Sequence, residues 1–464
     1  MFDLLIHNGQ VALSKGWQSL DIAIQAGKIV ALEANLKPAA ATHTLDATGL
    51  LIFPGFIDSH THMGIPIKDT WSADDFESGS RAAAWGGVTT ILDFTVQARG
   101  QSYRQALEER RGRAQGKSHV DYGLHVNVTD NNPAWQHEIG ELIGEGFTHF
   151  KAFTTYREAG MMIEPDDMRR VLGEIGRHGG FLMLHAEDNE LVARATQPNL
   201  AAGNLAPLYH ARSRPAEAEA KAIRDAAAIA RDLDAQLYIV HLSSQAGLEA
   251  GLEARAQGTK IYLETCPQYL LMTEQMFERP NGHWYITTPP MRSAADAQAL
   301  WQALADGHID TVATDHCPFT IAQKESGGRD FSRTPNGIPG VATLFPLLYT
   351  YGVTEGQITL KRLLELLAEN PARIFGLDDR KGKIAIGMDA DLVLWDEREE
   401  SIIQAQEIPG AADWNPYENV PVAGKVVSTL SRGRMLIANG QFVGDEVWGA
   451  CVTSHKKNGG LVQM

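Results

Sequence analysis

PAEAEAKAIRDAAAIARDL at 215–233, followed after two residues by QLYIVH at 236–241, decides the fold. The first segment is rich in alanine, the strongest helix former, and the second is a short apolar run of strand character. A second alanine-rich segment, ADAQALWQALADG at 295–307, again precedes a short strand-like run, DTVATD at 310–315. Alternation of this kind builds βα units and a parallel sheet. Working outward gives eight candidate strands: 56–62 (FIDSHTH), 89–94 (TTILDF), 121–127 (DYGLHVN), 147–153 (FTHFKAF), 180–185 (GFLMLH), 236–241 (QLYIVH), 259–264 (TKIYLE) and 310–315 (DTVATD). Eight strands with intervening helices form a (β/α)8 barrel, an α/β fold whose active site is assembled at the C-terminal ends of the strands.

The two ends of the chain read differently. Residues 1–53 hold short alternating runs, LLIHNGQVAL, DIAIQAGKIVAL and HTLDATGLLIF, broken by glycine-bearing turns. The same style returns in 381–443, with KIAIGMDADLVLWD and GKVVSTLSRGRMLIANGQFV. Both ends are expected to pair into one smaller β-sandwich domain beside a barrel spanning 54–380, with 444–464 as a polar C-terminal tail.

Composition narrows the function. Of the 464 residues, 44% are hydrophobic and 21% charged, as in an ordinary globular protein. No apolar run is long enough to span a membrane. The opening MFDLLIHNGQVAL reads as strand and turn rather than a secretory signal, which places the chain in the cytoplasm. A net charge of −16 disfavours nucleic acid and points to a small substrate. Cys266, Cys317 and Cys451 form no CxxC pair, so neither a disulfide framework nor a cysteine zinc site is expected.

Ionisable residues recur at one place on this barrel. His60 and His62 end strand one, Lys151 lies in strand four, and His185, His241 and Asp315 end strands five, six and eight. All six converge on one mouth. His60 and His62, two apart on a strand, share a face and suit one metal ion. Lys151 sits inside the apolar run HFKAF, where a lone ammonium is costly. It either reaches solvent or a carboxylate, or it captures carbon dioxide as a carbamate, an anionic ligand able to bridge two cations. Ser243 and Ser244 follow His241 without the partners of a catalytic triad and are read as shaping the strand end.

These residues lie within a set of motifs, PGFIDSHTH, GGVTTILDF, FKAFTTY, LHAED, VHLSS, ETCPQYL, TTPPMR, ATDHCPF, PNGIPG, NPARIFGL and GMDADLVLWD, that covers essentially the whole chain. The set resembles the amidohydrolase superfamily, and within it the cyclic amidases that include dihydropyrimidinases, hydantoinases, allantoinases and dihydroorotases. The resemblance implies two divalent ions, usually zinc. His60, His62, carbamylated Lys151 and Asp315 would hold one, and Lys151, His185 and His241 the other. It further implies attack of a metal-bridging hydroxide on a cyclic amide, opening a dihydropyrimidine or 5-substituted hydantoin to an N-carbamoyl amino acid, with Asp315 as general acid and base.

The same resemblance makes Tyr156 a donor to the substrate carbonyl and the developing oxyanion, and the backbones of Thr288 and Asn336 a clamp on the ring amides. Dihydroorotases carry an arginine after HxH, where this chain has HTHMGIP, so a carboxylate-bearing ring is disfavoured. Allantoin hydrolysis to allantoate is the alternative, and a catalytically inactive scaffold relative is the remote one. Met63, Ile65 and Trp71 after strand one, with Met161 and Met162 after strand four, are expected to line a pocket for the ring substituent. A homo-oligomer, dimer or tetramer, is implied by the resemblance alone.

Overall fold

Eight parallel strands stand in chain order in a computed structural model that describes residues 1–455. They are β1 (Phe56–Thr61), β2 (Val88–Phe94), β3 (Asp121–Asn127), β4 (His149–Phe153), β5 (Phe181–His185), β6 (Gln236–Ile239), β7 (Lys260–Thr265) and β8 (Thr311–Val312). The ring closes just beyond β8. The His62 amide donates to the His316 carbonyl at 2.8 Å, and the Asp58 carboxylate accepts from the Thr314 amide and hydroxyl. Every residue of β1 and β2 is buried, because one face fills the barrel and the other lies beneath helices. The helix Ala216–Asp232 shows the covering pattern. It buries Ala220, Ile223, Ala226, Ala227 and Ala230 at helical spacing.

Two strands are shorter than the sequence suggests. β6 leaves its ladder after Ile239 and β8 after Val312, where the expected strands ran to 241 and 315. His241 (φ 41°) and Asp315 (φ 53°) adopt left-handed backbone conformations that no strand can contain.

The chain ends build two further sheets. Phe2–His7, Asp21–Gln25, Lys28–Glu33 and Ala41–Asp46 form a four-stranded sheet. Gln10–Leu13, Gly16–Ser19, Leu51–Pro54, Leu392–Ile402, Pro421–Ser431, Arg434–Ala438 and Gln441–Phe442 form a seven-stranded one that mixes both ends of the chain. Alternation along its strands divides the cores. Ile52, Leu392 and Leu394 join Ile6, Ile22 and Ile24 in the satellite core, whereas Phe53, Val393 and Trp395 face the barrel core with Phe56 and Phe345.

A buried charge cluster ties the parts together at the N-terminal end of the strands. Lys381 Nζ lies 2.6 Å from Asp121 at the start of β3, 2.6 Å from Asp391 and 3.0 Å from Asp389. Asp121 also accepts from the Ala450 amide. Of the segment read as a polar tail, residues 449–455 run along this end of the barrel through backbone hydrogen bonds with Ser118, Tyr122, Gly146 and Gly376, and Val452 is buried there. Residues 456–464 fall outside the described part. No helix among the described residues is long and apolar enough to cross a membrane.

Candidate active site

The C-terminal ends of β1, β4, β5, β6 and the β8 extension bring their polar side chains to one point. His60, His62 and Asp315 present ligand atoms within 4.8 Å of one another. Asp315 Oδ1 lies 3.2 Å from His60 Nε2 and 3.0 Å from His62 Nε2. The His241 ring centroid is 5.5 Å from that of His60 and 4.6 Å from that of His185. Phe94, at the end of β2, walls this group at 4.8 Å from His60 and 4.9 Å from His62.

Lys151 stands within the group, and its side-chain amine has no hydrogen-bond or ion-pair partner among the described residues. It is 2% exposed, and its Nζ sits between the rings of Phe94 (5.3 Å) and Phe153 (5.2 Å). Burial brings its amine down to about 7, against the opposing charges of Asp315 and Glu264. At that value a substantial fraction is neutral near pH 7, as attack on carbon dioxide requires.

Burial likewise holds His60, His185 and His241 below the ordinary histidine value and so neutral, with lone pairs to offer. Burial raises Asp315, but His60, His62 and Lys151 outweigh it and keep the group ionised. The Nδ1 atoms of His62 and His241 are buried without partners. Four imidazoles, one carboxylate and one amine without a hydrogen-bond partner in one apolar-walled place fit divalent metal ions by their donor chemistry.

Two carboxylates that the sequence reading passed over complete the arrangement. Glu264, at the end of β7, places Oε1 2.7 Å from His60 Nδ1 and is itself held by Tyr238 (2.7 Å) and the His241 amide (3.1 Å). Burial pushes Glu264 up to about 7. Once ionised it accepts from Nδ1 and leaves Nε2 to face the centre. Glu187 lies 2.7 Å from His185 Nε2 and leaves Nδ1 free. Burial raises this carboxyl, yet Arg214 and His185 prevail and bring it to about 2. Both glutamates stood in quoted motifs, ETCPQYL and LHAED. The available signal was an acid two residues after a terminal histidine for Glu187, and an acid at the end of an apolar strand for Glu264.

Tyr156, expected beside the substrate, has a left-handed backbone (φ 65°) and a ring centroid 5.3 Å from His185. Burial pushes its phenol up to about 12, with Arg214 opposing, so it stays protonated and able to donate. The Thr288 hydroxyl also acts on this phenol and accepts from Asn336 Nδ2 at 2.7 Å. Lys324 holds the two loops in register by donating to the carbonyls of Ile286 (3.0 Å) and Pro335 (2.8 Å). Among the described residues the backbone groups of Thr288 and Asn336 make no internal hydrogen bond.

Of the residues expected to line a substituent pocket, Met63 is fully buried in the barrel core, with its sulfur against Gly79 of the helix Phe76–Trp85. Ile65 packs on Cys317 and Phe319, and Trp71, 48% exposed, lies under Arg113 at 5.0 Å on the helix Tyr103–Ala114. Met161 and Met162 are half-buried in the segment after β4.

A histidine, lysine and aspartate centre at the mouth of a (β/α)8 barrel defines a class of metal-assisted hydrolases. Residues 51–436 match the family model described as "Amidohydrolase family", and the chain belongs to that family. It is similar to a D-hydantoinase of Rhizobium radiobacter, 40% identical over 446 residues that cover 95% of this chain and 96% of the relative. A D-phenylhydantoinase of Escherichia coli is 40% identical over 444 residues, covering 95% and 96%. The crystal structure of dihydropyrimidinase from Brevibacillus agri NCHU1002 superposes with a TM-score of 0.95 at 37% identity, covering 99% of each chain.

Proposed function

We propose that the chain is a binuclear-metal cyclic amidohydrolase that opens dihydropyrimidine or 5-substituted hydantoin rings to N-carbamoyl amino acids. The observation that carries this reading is Lys151, a buried amine without a partner amid four imidazoles and Asp315. Converted to a carbamate, it would bridge one ion held with His60, His62 and Asp315 and a second held with His185 and His241. Two zinc ions so placed would supply Lewis acidity at the substrate carbonyl and a water acidic enough to act near neutral pH.

The protein's own groups do the rest. Thr288 and Asn336, whose backbone groups lack internal partners, orient the ring amides. Tyr156 donates its phenol proton in a hydrogen bond to the carbonyl oxygen, strongest when that oxygen becomes anionic. Asp315 accepts the proton released when water adds to the carbonyl carbon and passes it to the ring nitrogen as the C–N bond breaks. The terminal NH2 of the carbamoyl group and the new carboxylic acid balance the hydrolysis. The named relatives, hydantoinases and a dihydropyrimidinase, support this substrate class. Assembly into a dimer or tetramer, supported by the family resemblance, and a cytoplasmic location complete the proposal.

The test is ring opening by the zinc-loaded protein on dihydrouracil, 5-monosubstituted hydantoins and allantoin side by side. Turnover of dihydrouracil or hydantoins is expected. Turnover of allantoin alone would move the reading to an allantoinase, and no turnover on any of the three would point to an inactive scaffold.

A further inference from the structure

Arg214 belongs to none of the motifs read for chemistry, yet it reaches both halves of the candidate site. Its guanidinium pairs with the Glu187 carboxylate, which holds His185 Nε2 at 2.7 Å. The same guanidinium lies 5.2 Å from the Tyr156 ring centroid, over its face. The Arg214 side chain is 12% exposed, so both contacts are largely out of water. The backbone is pinned as well. Arg292 donates from Nη1 to the Arg214 carbonyl and from Nε to the Ser243 hydroxyl (3.2 Å), just beyond His241.

A planar guanidinium can meet a carboxylate edge-on while its face covers a ring, and lysine cannot do both. Tyr156 needs such support, because its left-handed backbone and the following segment Arg157–Ala159 leave its ring on a loop rather than a strand. From these contacts we propose that Arg214 is a positioning residue. It locks the Tyr156 phenol and the Glu187–His185 pair into one arrangement, so that the oxyanion donor and the metal site keep a fixed separation. This rests on the role given to Tyr156 above.

The experiment is a double-mutant cycle of Tyr156→Phe and Arg214→Gln on the zinc-loaded enzyme. It follows kcat and KM for a 5-monosubstituted hydantoin, bound metal and thermal midpoint, with Arg214→Lys as a milder third variant. Loss of one preorganised oxyanion donor costs roughly 100- to 1000-fold in kcat, so Tyr156→Phe is expected in that range. Arg214→Gln is expected to lower kcat by about 10-fold or more with KM changed less, and to cost almost nothing further once Tyr156 is Phe. Metal content should fall little, since Glu187 still holds His185. Arg214→Lys should recover part of kcat.

Additive losses in the cycle, or an Arg214→Gln defect wholly explained by lost metal or a lower midpoint, would overturn the inference. Should Arg214→Gln not fold, the same cycle run with Arg214→Lys decides it by the same criterion. An unimpaired Tyr156→Phe would remove the tyrosine's role, and this inference with it.

Discussion

Glu264 and Glu187 touch the far sides of two site imidazoles and select different nitrogens, Nε2 of His60 and Nδ1 of His185, to face the centre. Partners of this kind typically alter metal affinity 10- to 100-fold. Glu264→Gln is therefore expected to weaken metal binding by about that factor in a chelator competition while the apo protein's thermal midpoint stays close to wild type; unchanged affinity would contradict the role. At this scale the six site residues were legible because each is a charged or imidazole side chain at the end of an apolar strand, or within one. The glutamates and Arg214 were not, because spacing along a chain does not say which imidazole nitrogen a carboxylate reaches, nor that an arginine between two helices turns inward.

At the scale of elements, periodicity located all eight barrel strands to within a few residues, since burial on both faces leaves continuous apolar runs. Loops were harder to read. Met63 follows strand one in the sequence, and the turn after β1 sets its sulfur against Gly79, where a larger helix side chain would collide with it. The two sandwich sheets were legible from alternation, whereas the buried seam joining them to the barrel was not, because Asp121 lies 260 residues from Lys381 and its neighbours Asp389 and Asp391.

That seam gives an acid-stability prediction. Burial raises Asp389, but Lys381, Lys28 and Arg380 outweigh it and bring the group from 3.8 to about 2. With the folded value depressed, the unfolded chain binds the proton first, so the stabilisation is present above about pH 4 and is lost as pH falls toward 2. In urea titrations Asp389→Asn is expected to be less stable at pH 7 and to lose less on going to pH 3. Parallel losses in both proteins would contradict it.

For the whole molecule, the fold and the centre explain each other. A closed parallel barrel brings residues as far apart in sequence as His60 and Asp315 to 3.2 Å, and the left-handed turns at His241 and Asp315 end two strands where their side chains must point inward. Lys151 is a buried amine that this arrangement leaves without a hydrogen-bond or ion-pair partner among the described residues unless it joins a metal centre. Bound metal, measured on wild type and on Lys151→Ala after equal loading and tested again with added short carboxylic acids, is the most direct trial. The account predicts about two ions per chain in wild type, loss of most metal and ring-opening activity in the variant, and partial recovery of both with a small carboxylic acid present. Full metal content in Lys151→Ala would contradict a bridging role and with it the binuclear centre.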